Sequence, residues 1–314
     1  MKVAIVVDER LDEHKKEMLE AVKDAISKRY EVEVVPFDED FMKKIRIFDI
    51  AFNMATGGGK DSRQLHVPAI LDLLGIPYTG SSALTHAICI DKSVTKAVVE
   101  KYGVKTPRFF VVHPGDPVPD HDLEYPLIVK PVREGSSKGL RKESVVNDME
   151  SLKRAVGWIH ENFSEAALVE EFIDGTEVTV GLLETEKGLK VLPLLEIDFS
   201  KLPEGIERFY SDRVKNQGLD VYIEYHAPAR LPEDVYANVE QSAEKVFNAL
   251  KMRDYARMDF RIKDGVGYVL DVNSLPLLVP EYSDITKMAK AEGMSYDDLV
   301  LSILESAMRR YGLI

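Results

Sequence analysis

Apolar residues fill positions 3–7 without interruption, whereas over 13–29 they recur on one helical stripe made of Met18, Leu19, Val22, Ala25 and Ile26. Val32 and Val34 then alternate with Glu31 and Glu33, the period of a half-buried strand, and 45–54 is a third largely apolar run. Residues 67–74 return to helical spacing and stop at Gly75. Strand and helix patterns alternating in this way predict a small parallel sheet covered by helices.

The pattern changes after a helix expected over 91–102 and closed by Gly103. Short strands are expected at 109–113, 127–130, 168–172 and 177–183, with a proline-rich surface loop at 114–120. Longer strands are expected at 190–195 and 222–228. A helix starting at Pro232 carries Val235, Val239, Ala243, Val246 and Leu250 on one stripe, and two more strands cover 256–262 and 266–272. A last helix opens with Ser295 as N-cap and Asp298 three residues on. No internal repeat and no low-complexity segment is present.

Composition narrows the class. With 314 residues, 45% hydrophobic and 30% charged, the chain is of ordinary globular make-up and long enough for two or three domains. The longest apolar runs, such as 3–7 and 275–280, fall far short of the roughly 20 residues that cross a bilayer, and the amino terminus lacks the features of a signal peptide. A single cysteine, Cys89, rules out an internal disulfide and a cysteine-based zinc cluster and fits a reducing cytoplasm; the seven histidines show no metal-ligand spacing. A net charge of −13 argues against nucleic acid as partner, because phosphate backbones need a basic face. An acidic chain that binds any polyanion must therefore place its lysines and arginines inside motifs.

Such motifs are present. In Tyr255-Ala256-Arg257-Met258-Asp259-Phe260, Arg257 and Asp259 share one strand face. In Leu270-Asp271-Val272-Asn273 the acid and the amide do the same, and Asp264-Gly265 between the two segments reads as a hairpin turn. Asp259, Asp271 and Asn273 then converge as hard oxygen ligands suited to Mg²⁺, with Arg257 beside them for a phosphoryl group or a developing oxyanion. Taken alone, the four are equally the polar face of an amphipathic hairpin.

Upstream, an apolar strand ends in Lys130-Pro131, and Glu134-Gly135-Ser136-Ser137-Lys138-Gly139 supplies amides and hydroxyls able to wrap phosphate oxygens. Alone, that loop is an ordinary turn. Leu168-Val169-Glu170-Glu171-Phe172-Ile173 reads as a strand edge able to offer backbone groups to adenine, with Glu177 accepting from ribose hydroxyls; alone, it is a charged edge strand. Gly57-Gly58-Gly59-Lys60 is not a Walker loop, since Met54 stands at the place of that motif's first glycine and Asp61 follows the lysine. Cys89 and Trp158 read as packing residues.

Taken in order, these motifs resemble the D-alanine–D-alanine ligase family of the ATP-grasp superfamily. The match runs from about residue 70 to residue 298, through Leu74-Gly75-Ile76-Pro77-Tyr78-Thr79-Gly80-Ser81, Asp91-Lys92, 129–139 and the Asp259/Asp271/Asn273 set, and is looser over the amino-terminal sheet. The resemblance implies an α/β fold, a Rossmann-like parallel sheet domain (1–95) followed by a two-lobed ATP-grasp fold with a lid (96–182) and a metal-carrying lobe (183–314). ATP would lie between the two lobes. Lys92, Lys130 and Lys215 look like the lysines that hold its phosphates, and Glu170, Phe172, Ile173 and Glu177 like its adenine and ribose contacts. Asp259, Asp271 and Asn273 match ligands of Mg²⁺, as a pair of ions or with Mn²⁺ in its place, Arg257 matches the arginine at the transferred phosphate, and Ser136 lies in the closing loop. The implied activity is phosphorylation of a small carboxylate followed by attack of an amine on the acyl phosphate. Partners would be small molecules, with no nucleic acid and no membrane, and the family suggests a homodimer.

The substrate subsites depart from the family pattern. Val7-Asp8-Glu9-Arg10-Leu11-Asp12-Glu13 lacks the Gly-Gly loop and the following glutamate that holds the first substrate's amine. Gln64 stands in place of an acid, Asn216 in place of the tyrosine after Lys215, and Leu277-Leu278-Val279-Pro280-Glu281-Tyr282 in place of small residues that bind the second substrate's carboxylate. A ligase for substrates other than D-alanine is expected. A genuine D-alanine–D-alanine ligase, or a nucleotide-binding regulator without turnover, is the alternative. Glu9, Glu13 or Glu281 are candidates to restore a missing carboxylate in space.

Overall fold

A computed structural model describes residues 1–59, 62–216 and 218–314, apart from the side chains of Lys215 and Asn216. Strand β1 (Lys2–Val7) is buried from Val3 onward because it runs down the middle of a parallel sheet, between β2 (Glu31–Pro36) and β3 (Ile50–Asn53). Helix α1 (Glu13–Ser27) lays Met18, Val22, Ala25 and Ile26 on one face, and Asp12 caps it by accepting from the Lys15 amide at 2.8 Å. The short α2 (Phe41–Lys44) and α3 (His66–Leu74) cover the other face through Phe41, Val67 and Leu71. Gly75 ends α3 at φ 68°, a left-handed cap that a side chain would oppose. The apolar run 45–54 divides, with Ile45–Ile47 as a 3₁₀ turn before β3.

Two helices follow where the pattern predicts one. Asp91 separates α4 (Ala83–Ile90) from α5 (Lys92–Lys101), capping the second by accepting from the Ser93 and Val94 amides at 3.1 Å each. The next layer is an antiparallel sheet of β4 (Phe109–Val112), β5 (Leu127–Pro131), β6 (Val145–Val146) and β7 (Ala167–Glu171), in the order β4-β7-β5-β6. Helix α6 (Met149–Phe163) covers one side with Leu152, Ala155, Val156 and Ile159.

The third layer is a six-stranded antiparallel sheet of β8 (Thr176–Thr185), β9 (Gly188–Val191), β10 (Leu195–Asp198), β11 (Glu224–His226), β12 (Tyr255–Lys263) and β13 (Val266–Asn273). The single-turn α7 (Asp212–Asn216) lies between β10 and β11, and α8 (Glu233–Ala249) packs its expected valines against one face. Helices α9 (Asp284–Ala291) and α10 (Tyr296–Arg310) take the other, where α10 shares one core with α1 and β1. Ser295 and Asp298 form the expected capping box on α10. No described helix is long and apolar enough to cross a membrane.

Two strand expectations need correction. The run 190–195 breaks into β9 and β10 around Pro193, which has no amide to give a ladder, and 222–228 shrinks to the three residues of β11 between a 3₁₀ turn at Asp220–Tyr222 and Pro228. The division expected at residue 182 falls inside β8, all of whose partners (β9, β10 and β12) belong to the six-stranded sheet.

Candidate active site

A cleft of about 910 Å³ opens between the four-stranded and six-stranded sheets, with loops of the amino-terminal layer (Asp12, His14, Thr56, Gln64) along one side. Its floor is the β12–β13 hairpin. Asp264 (φ 51°) and Gly265 (φ 73°) turn it in the left-handed conformations a two-residue hairpin needs. Register sets Arg257 opposite Asn273 and Asp259 opposite Asp271, and a bulge then drops Leu270 out of the ladder. The four polar residues therefore share one face, as the alternation predicts. Asp259 accepts from Arg257 Nη2 at 2.9 Å and from the Thr179 hydroxyl of β8 at 2.7 Å. Asn273 Oδ1 accepts from the Leu275 amide at 3.1 Å.

Three lysines face this hairpin, Lys92 and Lys96 from α5 and Lys130 from β5. Lys92, first residue of α5, donates to the Glu134 carbonyl at 2.5 Å and lies 4.0 Å from Asp271. Its position follows from Asp91, which caps α5 with one oxygen and holds Arg133 with the other at 2.9 Å. Lys130, at the end of β5, pairs with Glu170 at 2.6 Å, and Lys96, which the sequence reading passed over, pairs with the same carboxylate at 2.9 Å. Burial opposes the Glu170 charge, yet Lys130 and Lys96 outweigh it and hold the carboxyl below its usual range. Burial brings Lys96 down to about 8. Asp271 behaves like Glu170: burial would raise it, but Lys92, Lys130 and Arg257 keep it low and ionised.

The adenine expectation needs one adjustment. Strand β7 is not an edge; β4 and β5 pair with it on both sides, so its backbone groups are taken. The chain leaves the ladder only after Glu171. Phe172 and Ile173 line the cleft there, with the Arg261 guanidinium 5.5 Å above the Phe172 ring and bonded to the Ile173 carbonyl at 3.3 Å. Glu177 accepts from Arg261 at 2.7 Å, and burial pushes its carboxyl up despite that partner. Ser136 and Ser137 adopt left-handed φ of 55° and 62° in the exposed Gly/Ser loop, and Gly139 (φ 82°) packs so closely on Pro131 of β5 that a Cβ would collide with it. Arg63 ties this segment to the amino-terminal layer through Glu134 at 3.2 Å. The expectations for Lys215 and Asn216, and the Lys60–Asp61 pair, lie outside the described residues.

On the substrate side the structure adds residues the sequence did not single out. Asp284 opens α9 and stands 3.5 Å from Arg257 Nη1, with Lys287 at 3.2 Å from its other oxygen. Gly181 on β8, opposite Arg257 in register, makes room for this helix, since a Cβ there would press on Met288 and Ile285. Burial works against the Arg257 charge, but Asp259 and Asp284 more than restore it and raise its pKa. Tyr282 stacks on His14 with ring centroids 4.2 Å apart, and Tyr210 and Tyr225 join hydroxyls on the wall beside them. The start of α9, a serine cap followed by an acid, is the one local signal that could have found Asp284. Among the candidate acids, Glu9 is exposed, Glu13 is exposed and paired with Lys16, and Glu281 at the cleft rim is tied to Lys290 at 2.8 Å.

A parallel-sheet domain joined to two antiparallel lobes, with Lys92, Lys130 and an acidic hairpin lining the cleft between them, is the layout of an ATP-grasp ligase. The family model for the D-ala D-ala ligase C-terminus matches residues 98–305. An uncharacterized protein y4sG of Sinorhizobium fredii is 35% identical over 270 residues, 85% of this chain and 76% of its own. A D-alanine–D-alanine ligase of Syntrophotalea carbinolica is 36% identical over 283 residues, 90% of this chain and 87% of its own. The crystal structure of D-alanine–D-alanine ligase from Bacillus anthracis complexed with ATP superposes with a TM-score of 0.79 at 25% identity, covering 100% of this chain and 99% of that one. The chain belongs to the D-alanine–D-alanine ligase family and is an ATP-dependent ligase that joins a carboxylate to an amine.

Proposed function

We propose that the chain phosphorylates a small carboxylate with ATP and passes the acyl group to an amine, with substrates other than D-alanine alone. The observation that carries this reading is the single face holding Arg257, Asp259, Asp271 and Asn273 opposite Lys92 and Lys130. Lys92 and Lys130 bind the phosphates, Phe172 and Ile173 take the adenine, and Glu177 the ribose. Arg257 holds the transferred phosphoryl group and then the oxyanion of the tetrahedral intermediate. Ser136, on the Gly/Ser loop, closes over the cleft and keeps water from the acyl phosphate. The lid in this reading ends at Gly175 rather than at residue 182.

The hairpin fits Mg²⁺. Asp271 is held ionised by surrounding cations, and two carboxylates with an amide oxygen are the hard donors that ion prefers. Asp259, Asp271 and Asn273 would hold it, and it would supply charge neutralisation at the phosphates. The buried Cys89, its thiol pushed up to about 12 by burial, fits a cytoplasmic setting. A homodimer, as in the family pattern, completes the proposal.

Against D-alanine itself stand the substrate contacts. Asp8 is occupied by Lys15 at 2.7 Å and by Thr56, while Leu278 and Val279 are buried in the core rather than open to a carboxylate. Loss of a buried charge partner costs about 2–5 kcal/mol, roughly tens- to thousands-fold in rate or affinity. Purified protein given ATP, Mg²⁺ and D-alanine should therefore release phosphate and form dipeptide slowly, while a screen of carboxylate–amine pairs for ADP release finds a faster couple. Efficient D-alanyl-D-alanine formation at millimolar substrate would reverse this choice.

A further inference from the structure

Ligation needs a site for the incoming amine, and the acids expected from sequence to provide one, Glu9, Glu13 and Glu281, are all exposed, whereas Asp284 is half-buried in the cleft. We propose that Asp284 anchors the ammonium group of the amine substrate and accepts its proton as the nitrogen attacks; this rests on the ligase reading above. Arg257 divides the cleft. Its Nη2 faces Asp259 of the hairpin at 2.9 Å, and its Nη1 faces Asp284 at 3.5 Å, too long for a good hydrogen bond. If the acyl carbon's oxygen rests on Arg257, a nitrogen poised to attack that carbon from the side away from the hairpin comes within reach of Asp284.

The surroundings suit a cation. Asp284 lines the cleft with its side chain 18% exposed, so it is reachable yet partly dehydrated. The wall beside it is aromatic: Lys287 Nζ, 3.2 Å from Asp284, sits 4.0 Å from the centre of the Tyr225 ring, and the incoming ammonium takes the place of this lysine on Asp284. Packing of α9 into the space left by Gly181 fixes the position of Asp284, which gives it the rigidity a recognition site needs. An ammonium arriving there also competes with Arg257 for Asp284 and turns the guanidinium toward the acyl phosphate.

The protons balance. The ammonium gives one proton to Asp284, and the freed lone pair forms the C–N bond. The bond from the acyl carbon to the phosphate oxygen breaks, the second amine proton leaves with hydrogen phosphate, and Asp284 returns its own to water.

Hydroxylamine, uncharged at neutral pH, separates this step from acyl-phosphate formation. Wild type, Asp284→Asn and Asp284→Glu would be incubated with ATP, Mg²⁺ and each common amino acid in both configurations as carboxylate donor. The acceptor would be hydroxylamine in one arm and a second amino acid in the other. The expected result is at least a tenfold fall in the ratio of ligation to hydroxamate in Asp284→Asn, with a raised KM for the amine and the ratio largely kept in Asp284→Glu. An unchanged ratio in Asp284→Asn overturns the assignment, as does equal loss of both products. No hydroxamate from wild type with any donor would instead overturn the acyl-phosphate route of the proposed function on which the assignment rests.

Discussion

Single side chains in this cleft are held by charges that only function explains. Lys96, Glu170 and Lys130 form a buried row of two cations and one anion, an arrangement whose desolvation costs more than packing residues of the same size. The surplus positive charge is available to a polyphosphate. Lys130→Ala should therefore raise the KM for ATP at least about tenfold, in line with loss of a hydrogen bond to a charged group worth about 1.5–3 kcal/mol. Lys96 still satisfies Glu170, so the fold should survive; ATP-dependent ADP release and thermal unfolding read the two effects separately. Asp271→Ala should lower turnover by about a hundredfold or more if it removes a metal ligand. Its side chain is 35% exposed and, among the described residues, its contacts are the Val272 amide and Lys92 at 4.0 Å, so stability should change little. Unaltered ADP release in that variant would remove the metal assignment.

Elements place these side chains, and the joints between elements are where a small change should travel furthest. The link from β7 to β8 passes Gly175, where a Cβ would collide with the Ile262 carbonyl of β12. Gly175→Ala must push the chain away from the six-stranded sheet, at about 1–3 kcal/mol by the usual cost of overpacking. It should also raise the KM for ATP, because Phe172 and Ile173 hang on the same link. Differential scanning calorimetry beside ATP titration checks this; an unshifted unfolding temperature would mean that the link yields freely. Strands with clean alternation were legible here, and so was the hairpin turn. The extra helices were not: α4 merges with α5 in any periodicity, and α9 is short and follows a proline-containing apolar stretch whose burial comes from α10 and α1.

Across the whole molecule, burial couples folding to pH. His86 of α4 is fully buried, bonds Ser274 just after β13 at 2.7 Å through Nδ1, and is pushed by burial down to about 4. Its folded-state value lies below the ordinary 6.5, so its stabilising share is present above pH 6.5 and is lost as pH falls toward 4. The difference amounts to about 3 kcal/mol at one pKa unit per 1.36 kcal/mol. Urea unfolding between pH 7 and pH 4 should show that loss in wild type and a shallower slope in His86→Gln, even if that variant starts less stable.

Local pattern by itself determined which polar residues of the β12–β13 hairpin share a face. Alternation put Arg257 with Asp259 and Asp271 with Asn273, and the Asp264-Gly265 turn paired them, because the period of a strand and the geometry of a two-residue turn are local. Composition set the same limit on where cations could lie. Tertiary structure alone decided what those residues meet. Lys96 reaches Glu170 across two elements, α9 brings Asp284 to Arg257 through a space left by one glycine, and β7 lies inside its sheet rather than at its edge. Contacts between segments far apart in the chain depend on packing volumes and sheet order, and neither is written in the periodicity of any one segment.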